Sequence, residues 1–437
     1  MSTAGGVADA NLTMMSSVEG VSDADLIAPS ASERPPTAAK KGVSLGQDAW
    51  RRLRRKRMAM ASLVTLAVIV LLSFFTPMLP LAPPDQHHTF QQYEAPELLP
   101  LFLKNFELDW AAIQNTPSNL ANTRGELIQA RERLAAVKQS ADSQTAIDAA
   151  ERDVRRKENE LSSLVHRPYR QAGFPDMGPI SRWMVRTRYR LFGALSIGPV
   201  SGRDEFGRDV LSRVIWGSRI SIIVGVVATL VSLLIGVAYG SVAGYFGGWI
   251  DDIMMRLVDV LYSIPFIFLV IFIITILKEE PLKSQLESYG IDRITIFYFV
   301  VGGIYWLTMS RVVRGQVISL RNEPFVEAAR AVGAGQMRII AHHILPNLLS
   351  VVIVYLTLTI PRVMLFEAFL SFLGLGVEPP NVSWGLLANE GIKVITPVRI
   401  YWWLIVYPAA ALGITLYALN FLGDGLRDAL DPKLAVR

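Results

Sequence analysis

The sequence predicts an all-α polytopic membrane protein with six transmembrane helices and a helical hairpin inserted outside the membrane. Hydrophobic side chains make up 51% of the 437 residues and charged side chains only 19%, so the chain is too apolar for an ordinary soluble domain. Six apolar stretches are long enough for helices that cross the hydrocarbon core. Heptad-spaced apolar residues between the first two stretches predict the hairpin.

The composition excludes several kinds of chemistry. The chain has no cysteine, which removes disulfides, thiolate metal sites and cysteine nucleophiles. None of its five histidines belongs to a His-Glu-x-x-His pattern, so we expect no metal site and no catalytic residue. No Gly-x-x-x-x-Gly-Lys-Ser/Thr loop is present, so this chain does not supply a nucleotide site. The net charge of +5 is concentrated, which favours membrane topology over nucleic-acid binding.

Residues 1–57 are predicted to form a disordered cytoplasmic tail that ends in a basic cluster. As far as about residue 47 the tail is rich in Ala, Ser, Gly, Asp and Pro and shows no apolar periodicity. Six of the eight residues from Trp50 to Arg57 are cationic, directly before the first predicted span, residues 58–76. By the positive-inside rule they place the amino terminus in the cytoplasm. Binding of the cluster to anionic lipid or to a partner is the alternative.

Residues 77–217 then form an extracytoplasmic region. Two series of apolar residues in it are spaced by seven, and charges of both signs lie between them. An antiparallel helical hairpin is therefore predicted at about residues 119–165, either as a docking arm for an external partner or as a solvated structural insertion. The two series are Leu120, Leu127 and Leu134, and Ile147, Val154 and Leu161.

The second predicted span, residues 220–242, carries glycines in steps of four. Gly236, Gly240 and Gly244 leave one helix face without side chains, where another helix can pack closely. This pattern indicates a bundle and says nothing of a substrate.

The third predicted span, residues 253–277, begins among charged residues. Arg256 lies four and three residues from Asp252 and Asp259, which favours a structural ion pair near the membrane surface over a proton relay. Pro265 should kink this helix, as a pore-lining helix requires.

The fourth predicted span, residues 294–309, delivers a group of arginines to one side of the membrane. With the first span leaving the cytoplasm, counting of spans places residues 310–347 inside, in agreement with the positive-inside rule. The arginines are Arg311, Arg314 and Arg321.

Residues 321–346 are a polar interruption that predicts two short helices. Pro324 suits a first helical turn, Glu323 or Asn322 suits the cap before it, and Gly333 suits a left-handed residue that closes a helix. Glu327 and Arg330 are three apart and can pair. The segment is too short and too charged to cross the membrane.

The second short helix is expected to run from about Gln336 and to end before Pro346. It would present one apolar face. From geometry alone, the helix pair suits either close docking of another protein or an amphipathic position at the lipid surface. The residues expected on its apolar face are Met337, Ile340, Ala341 and Ile344.

Glu327-Ala328-Ala329, followed after three residues by Gly333 and later by Leu345-Pro346, resembles the EAA motif of ABC importer permeases. His343 departs from the general motif, although the His-Ile-Leu-Pro ending resembles the peptide-importer branch. The resemblance implies that this loop inserts into a groove of a cytoplasmic ATPase. The implied coupling residues are Glu323, Glu327, Ala328, Ala329, Arg330, Gly333, Leu345 and Pro346.

Two further segments resemble permeases of the oligopeptide, dipeptide and nickel class. Residues 202–213 are similar to the element Gly-Thr-Asp-x-x-Gly-Arg-Asp-Val-Leu-Ser-Arg, with Arg203 in place of threonine, and here Asp204 and Asp209 are expected to cap helix starts and pair with arginines. Residues 371–385 are similar to the outer loop between the last two helices, which Gly and Pro predict to be folded.

The fifth predicted span, residues 348–373, contains polar residues at depth. Arg362 and Glu367 are candidates for the translocation path together with Pro265, and an ion pair within the helix or with a neighbouring subunit is the alternative. Trp402 and Trp403 are expected to anchor the outer edge of the sixth span, residues 400–422. Residues 424–437 complete the chain as a cytoplasmic tail.

The resemblance covers residues 50–76 and 200–434 and implies a MetI-like core of five helices at residues 218–423. It implies a subunit that pairs with a homologous second permease, two cytoplasmic ATPases that bind ATP and Mg²⁺, and an extracytoplasmic substrate-binding protein, in the bacterial inner membrane. The alternative is a proton-coupled secondary transporter that uses Asp259 or Glu367, although two similar halves are not evident in the sequence. Membrane lipid is the remaining expected partner, and the transported substrate is not legible.

Overall fold

The computed structural model describes residues 45–97, 102–104, 108–140, 144–279, 282, 286 and 293–430. Contacts divide the chain into Met1–Asp48 and Ala49–Arg437, and the architecture below is that of the second unit. The tail predicted up to about residue 47 lies almost wholly outside the described residues, as do residues 431–437. Where described, residues 45–55 are helical, so the basic cluster lies on a helix and not in an irregular tail.

The first half of the fold carries the first apolar helix and the inserted region. Two short 3₁₀ turns, Thr76–Met78 and Thr89–Gln91, lie in the connections. The elements are α1 (Leu45–Arg55), α2 (Arg57–Phe75), β1 (Phe102–Lys104), α3 (Trp110–Gln139), α4 (Gln144–Gln171), α5 (Pro179–Phe192) and β2 (Leu195–Ile197).

The second half is helical in the described residues. One five-residue π-helix, Ile340–Ile344, interrupts it. The elements are α6 (Val210–Phe246), α7 (Gly248–Ser263), α8 (Phe266–Lys278), α9 (Arg293–Leu320), α10 (Pro324–Ala331), α11 (Gln336–Ile339), α12 (Leu345–Phe372), α13 (Trp384–Lys393) and α14 (Trp403–Leu430). The last helix includes residues 424–430, half of the tail predicted for residues 424–437.

Five stretches are long and apolar enough to cross a membrane: Arg57–Met78, Val210–Phe246, Thr295–Leu320, Gln336–Phe372 and Trp403–Leu430. The helices α7 and α8 pass the same test only as a pair, and they meet at an angle of 84°. Pro265 stands at this break as the cap of α8, so the chain is broken there more sharply than the predicted kink. A count of six spans therefore stays a prediction.

The helices α3 and α4 pack side by side through the heptad residues. Leu127, Ala130 and Val154 are buried between them, with Leu134 and Leu161 half-buried beside them. Both helices extend beyond the predicted bounds of 119–165, since α3 begins at Trp110 and α4 ends at Gln171. Asp109 caps the start of α3 by accepting a hydrogen bond from the N–H of Ala112.

The glycine steps on α6 lie against α9. A methyl group added at Gly240 would stand 2.4 Å from the carbonyl oxygen of Ser310 and 3.0 Å from the amide nitrogen of Arg314. Similar obstruction is present at Gly236, which faces Met309, and at Gly244, which faces Val317. The two backbones thus approach where α6 lacks side chains, and α6 with α9 forms the most extensive helix pair of the fold.

Buried charges join the start of α6 and the residues before it to Glu94 and to α13. Asp204 accepts hydrogen bonds from Arg208 and Arg213, both at 2.7 Å, and Arg213 also reaches Glu390 of α13 at 2.5 Å. Arg203, the residue that departs from the family element, donates to Glu94 at 2.9 Å. Arg203, Arg208 and Arg213 each have a carboxylate partner, and Asp209 caps α6, which supports the structural role expected for this segment.

Trp403 does not act as the predicted interfacial anchor. Its side chain is buried, and the indole N–H donates to the carbonyl oxygen of Arg203. Trp402 beside it is half exposed. The sixth span begins at Trp403 itself, so this ring faces the protein and only Trp402 can face the surface.

Substituting Gly240→Ala should lower the free energy of unfolding by about 1–3 kcal/mol, because the added methyl overpacks the contact with the α9 backbone. Thermal unfolding in detergent measures the effect. Gly303→Ala on α9 is the matched control, since a methyl there meets nothing within 4 Å, and helix propensity makes it neutral or stabilising by up to about 1 kcal/mol. Equal effects of the two substitutions would contradict close packing at Gly240.

The stability of the protein should depend on pH through Asp209. Burial raises the pKa of Asp209, the cap of α6, to about 7, whereas an aspartate in an unfolded chain titrates near pKa 3.9. Between these values the native state holds a proton that the unfolded state has released, so this contribution to stability is present at low pH and is lost as pH rises through about 7.

Asp209→Asn keeps an acceptor for the N–H of Ser212 and removes the titration, so the melting temperature should fall less between pH 5 and pH 8 than in the wild type. Asp109→Asn, at the solvent-exposed cap of α3, is the control and should keep the wild-type pH profile. A wild-type profile in Asp209→Asn would refute the assignment.

Candidate functional site

The predicted coupling segment, residues 321–346, is held in place by buried apolar side chains and by two contacts with α6. Val326 of α10 is fully buried in a cluster with Tyr245, Val317, Ile339 and Ile344. Phe325, Ala328, Ala329 and Val332 recur at helical spacing along the same helix. In the structure Ala329 alone of these four is half-buried, and the other three are exposed.

The spacing of Glu327 and Arg330 predicts an ion pair, but the two side chains do not pair in the structure. The guanidinium of Arg330 lies over the ring of Tyr245, 5.4 Å from the centroid, and Glu327 is exposed. Arg321 donates to the carbonyl oxygen of Gly244 at 3.2 Å. The segment is therefore held to the end of α6 by a cation–π contact and a hydrogen bond, which leaves the Glu327 carboxylate free for a charged partner.

Gly333 adopts the predicted left-handed conformation, with φ of +84°. Its N–H bonds to the carbonyl oxygen of Arg330, and the N–H of Ala334 bonds to that of Ala329, which closes α10. Pro324 occupies the first turn of α10 and Glu323 its cap position, although the Glu323 side chain makes no capping bond.

The second short helix does not end before Pro346, and this expectation is wrong. After α11 the chain passes through the π-helix at Ile340–Ile344 directly into α12, whose first turn contains Pro346. A proline is tolerated there because first-turn N–H groups need no helical acceptor. Ile339, Ile340 and Ile344 are buried, whereas Met337 and Ala341 are exposed.

The outer surface of residues 321–346 carries exposed apolar side chains next to exposed charged ones. Val332 is 89% and Met337 67% exposed, and Glu327, Ala328 and Arg338 are exposed around them. Such apolar residues on a charged loop are typical of a surface that a partner covers.

Two of the three acidic residues of α7, Asp251 and Asp259, are paired with α9 and not with the arginine of their own helix, and Asp252 has no ion pair in the described part of the chain. Asp251 binds Arg314 in a two-pronged contact at 2.5 and 2.6 Å, and Asp259 binds Arg311 at 2.8 Å. The ion pair expected from Arg256 is not formed among the described residues. Neighbours in the folded bundle are better oriented for pairing than neighbours along the helix, so the structure ties α7 to the helix that leads into residues 321–346.

A cavity of about 390 Å³ opens at the break between α7 and α8. Pro265 lines it together with Tyr262, Tyr305 and Phe366, and the ring of Phe266 lies within 6.3 Å of the rings of Tyr305 and Phe366. The Tyr305 hydroxyl donates to the carbonyl oxygen of Arg362 at 3.3 Å, and the Arg362 side chain is exposed. The sequence signalled Pro265 but gave no sign of the aromatic wall.

Glu367 lies elsewhere, in the protein interior. It is fully buried, and its carboxylate accepts hydrogen bonds from the hydroxyls of Ser371 at 2.7 Å and Ser221 at 3.5 Å. It forms no ion pair with Arg362 in the described structure, since five residues along a helix place two side chains about 140° apart. Glu367 thus joins α12 to α6 and does not face the cavity.

Comparison with known proteins shows to which protein family the chain belongs. The family model described as binding-protein-dependent transport system inner membrane component matches residues 236–436, and that of the N-terminal transmembrane domain of oligopeptide transport permease C matches residues 44–99. The chain is 46% identical over 233 residues to the dipeptide transport system permease protein DppC of Bacillus subtilis (strain 168), which covers 53% of this chain and 68% of the relative. The chain belongs to this permease family.

Other relatives agree. The oligopeptide transport system permease protein OppC of Haemophilus influenzae is 44% identical over 53% of this chain and 70% of its own length, and that of Escherichia coli (strain K12) is 45% identical over 54% and 73%. This permease is therefore a transmembrane component of an ABC importer, located as a multi-pass protein in the inner membrane. The secondary-transporter alternative has no support from these relatives, which are permease subunits and not enzymes.

Gly333→Ala should destabilise the closing turn of α10 by about 1 kcal/mol, because a side chain disfavours positive φ. Hydrogen exchange of the amides of residues 325–334 measures the loss as faster exchange. Gly335→Ala is the control, since Gly335 has φ of −65° and open space around its Cβ position. Unchanged protection in Gly333→Ala would show that the turn is not held by this residue.

Proposed function

We propose that the chain forms half of the translocation pore of an ATP-driven importer for peptides or related small solutes. The named relatives are dipeptide and oligopeptide permeases, and their likeness to this chain supports that substrate class. Residues 321–346 couple the pore to the motor. The observation that carries this proposal is the exposed patch of Val332, Met337 and Glu327 on a segment whose other side is anchored to α6.

The proposed assembly contains a homologous second permease, two cytoplasmic ATPases and an extracytoplasmic substrate-binding protein. ATP and Mg²⁺ are bound by the ATPases, and this chain binds no cofactor. Both of its termini lie in the cytoplasm, which the basic residues at 50–57 and around residues 321–346 support. Glu323, Glu327, Ala328, Ala329 and Arg330 contact the ATPase.

Helical continuity provides a route for coupling. From Gln336 to Phe372 the chain is helical except for the π turn, and about 30 residues of helix separate the coupling segment from Phe366 at the cavity, or roughly 45 Å. Movement of the ATPases would tilt α10 and α11, and α12 would carry the movement to the cavity wall. Pro265 and the Arg362 side chain are the proposed path residues, and the burial of Glu367 favours a structural role for it.

Replacing Glu327→Lys should abolish substrate-driven uptake and reduce co-purification of the ATPases, because it reverses the charge at the centre of the proposed contact. Asp424→Lys is the matched control, since Asp424 is an exposed carboxylate outside the segment, and uptake should persist. Uptake is measured in proteoliposomes that contain the whole complex.

Near-normal uptake in Glu327→Lys, together with purified chain that carries no ATPase, would refute the coupling proposal. An unfolded Glu327→Lys protein, detected by its melting temperature, would assign Glu327 a structural role instead. Uptake that continues without ATP in a proton gradient would refute ATP-driven import.

A further inference from the structure

The helix α5 has two unlike faces. Met184, Val185 and Arg188 are buried against the inserted region. On another side Ile180, Trp183 and Leu191 are 62%, 61% and 62% exposed. Steps of three and eight residues place these three side chains on one stripe of the helix. An apolar stripe of this size on a surface helix requires a covering phase or partner.

Contacts fix α5 at the level where two spans leave the membrane. Arg188 donates to the carbonyl oxygens of Leu79 and Leu81, directly after the first span ends at Met78. Arg219, near the start of the second apolar helix, donates to the hydroxyl of Ser181 at 2.8 Å. Since the 22 residues of Arg57–Met78 extend about 33 Å, close to the hydrocarbon thickness, α5 lies at the bilayer boundary.

A row of cations runs beside the exposed stripe. Arg182, Arg186 and Arg190 follow at steps of four along the helix, and no acidic residue occurs between positions 177 and 203. None of the three pairs with a carboxylate in the described part of the chain. Arg186 donates to the Tyr169 hydroxyl at 2.6 Å, and Arg190 lies 5.5 Å from the Trp110 ring centroid. The row is therefore positively charged and uncompensated.

We propose that α5 is an in-plane membrane anchor. Its stripe enters the acyl boundary of the leaflet opposite the basic cluster at Trp50–Arg57, and the arginine row binds the phosphates of anionic lipid headgroups. Lipid is the favoured occupant because α5 packs against the turn Thr76–Met78 at the end of the first span, and Phe74 and Phe75 just before that turn are 53% and 41% exposed. A basic helix with tryptophan and aliphatic residues on its free face is typical of an interfacial helix.

Labelling tests this proposal directly, because the chain has no native cysteine. A nitroxide is attached at Ile180→Cys, Trp183→Cys or Leu191→Cys, with Ser163→Cys on exposed α4 as the control, and the whole complex is reconstituted in vesicles. Oxygen should relax the labels on the stripe more than a water-soluble nickel chelate does, and the order should reverse at position 163.

The vesicles contain phosphatidylcholine alone or phosphatidylcholine with about 30% phosphatidylglycerol, which supplies anionic headgroups. The anionic lipid should move the stripe labels deeper. Replacing Arg182, Arg186 and Arg190 together by Gln should remove this shift while leaving the labels in contact with oxygen.

Labels on the stripe that prefer the nickel chelate would overturn the anchor. Labels shielded from both reagents in the complex, but not in the isolated chain, would overturn it in favour of a protein partner. A depth that is the same in both vesicle types would overturn the phosphate contact. Because the labels are introduced one at a time into exposed positions, the test does not depend on the triple arginine variant folding.

Discussion

The packing of α6 on α9 is the constraint on which the rest of the core depends. The two backbones approach because Gly236, Gly240 and Gly244 carry no side chain, and Val313 and Val317 fill the groove from the other helix. This approach fixes where α9 ends, and residue 321 follows at once. A segment that begins at a close backbone contact is positioned by that contact, because tightly packed interiors have low compressibility and transmit strain.

Residues 321–346 also contact the end of α6 directly. Arg330 lies on Tyr245 and Arg321 on the carbonyl oxygen of Gly244, within the last three residues of α6. Asp251 and Asp259 bind the arginines of α9 just before this point. The arginines that indicated membrane sidedness in the sequence are therefore also the residues that join α6, α7 and α9 at one end of the bundle.

The sequence predicted what depends on local geometry and failed where distant elements compete. Pro324 at a helix start and Gly333 at a helix end follow from backbone preferences, and the glycine steps follow from helix periodicity. The pairs of Glu327 with Arg330 and of Arg256 with its neighbours are not formed. Tyr245 contacts Arg330 instead, and Arg311 and Arg314 of α9 bind carboxylates of α7. The π turn at Ile340–Ile344 and the aromatic cavity wall left no pattern in the sequence, since each arises from packing between segments far apart in the chain. The ATPase contacts remain predictions, because the second surface belongs to another molecule.

The large insertion between the first span and the core is tolerated because it begins and ends at one place. β1 pairs antiparallel with β2, with Phe102 opposite Ile197 and Lys104 opposite Leu195, so the segment 105–194 leaves the fold and returns to it through adjacent strands. A segment closed in this way adds residues at a small entropic cost and does not change the path of the flanking chain. Its attachment to the core is local as well, since Val185 and Tyr169 pack with Trp216 at the start of α6. The hairpin is therefore accommodated without disturbing the arrangement of α6, α9 and residues 321–346.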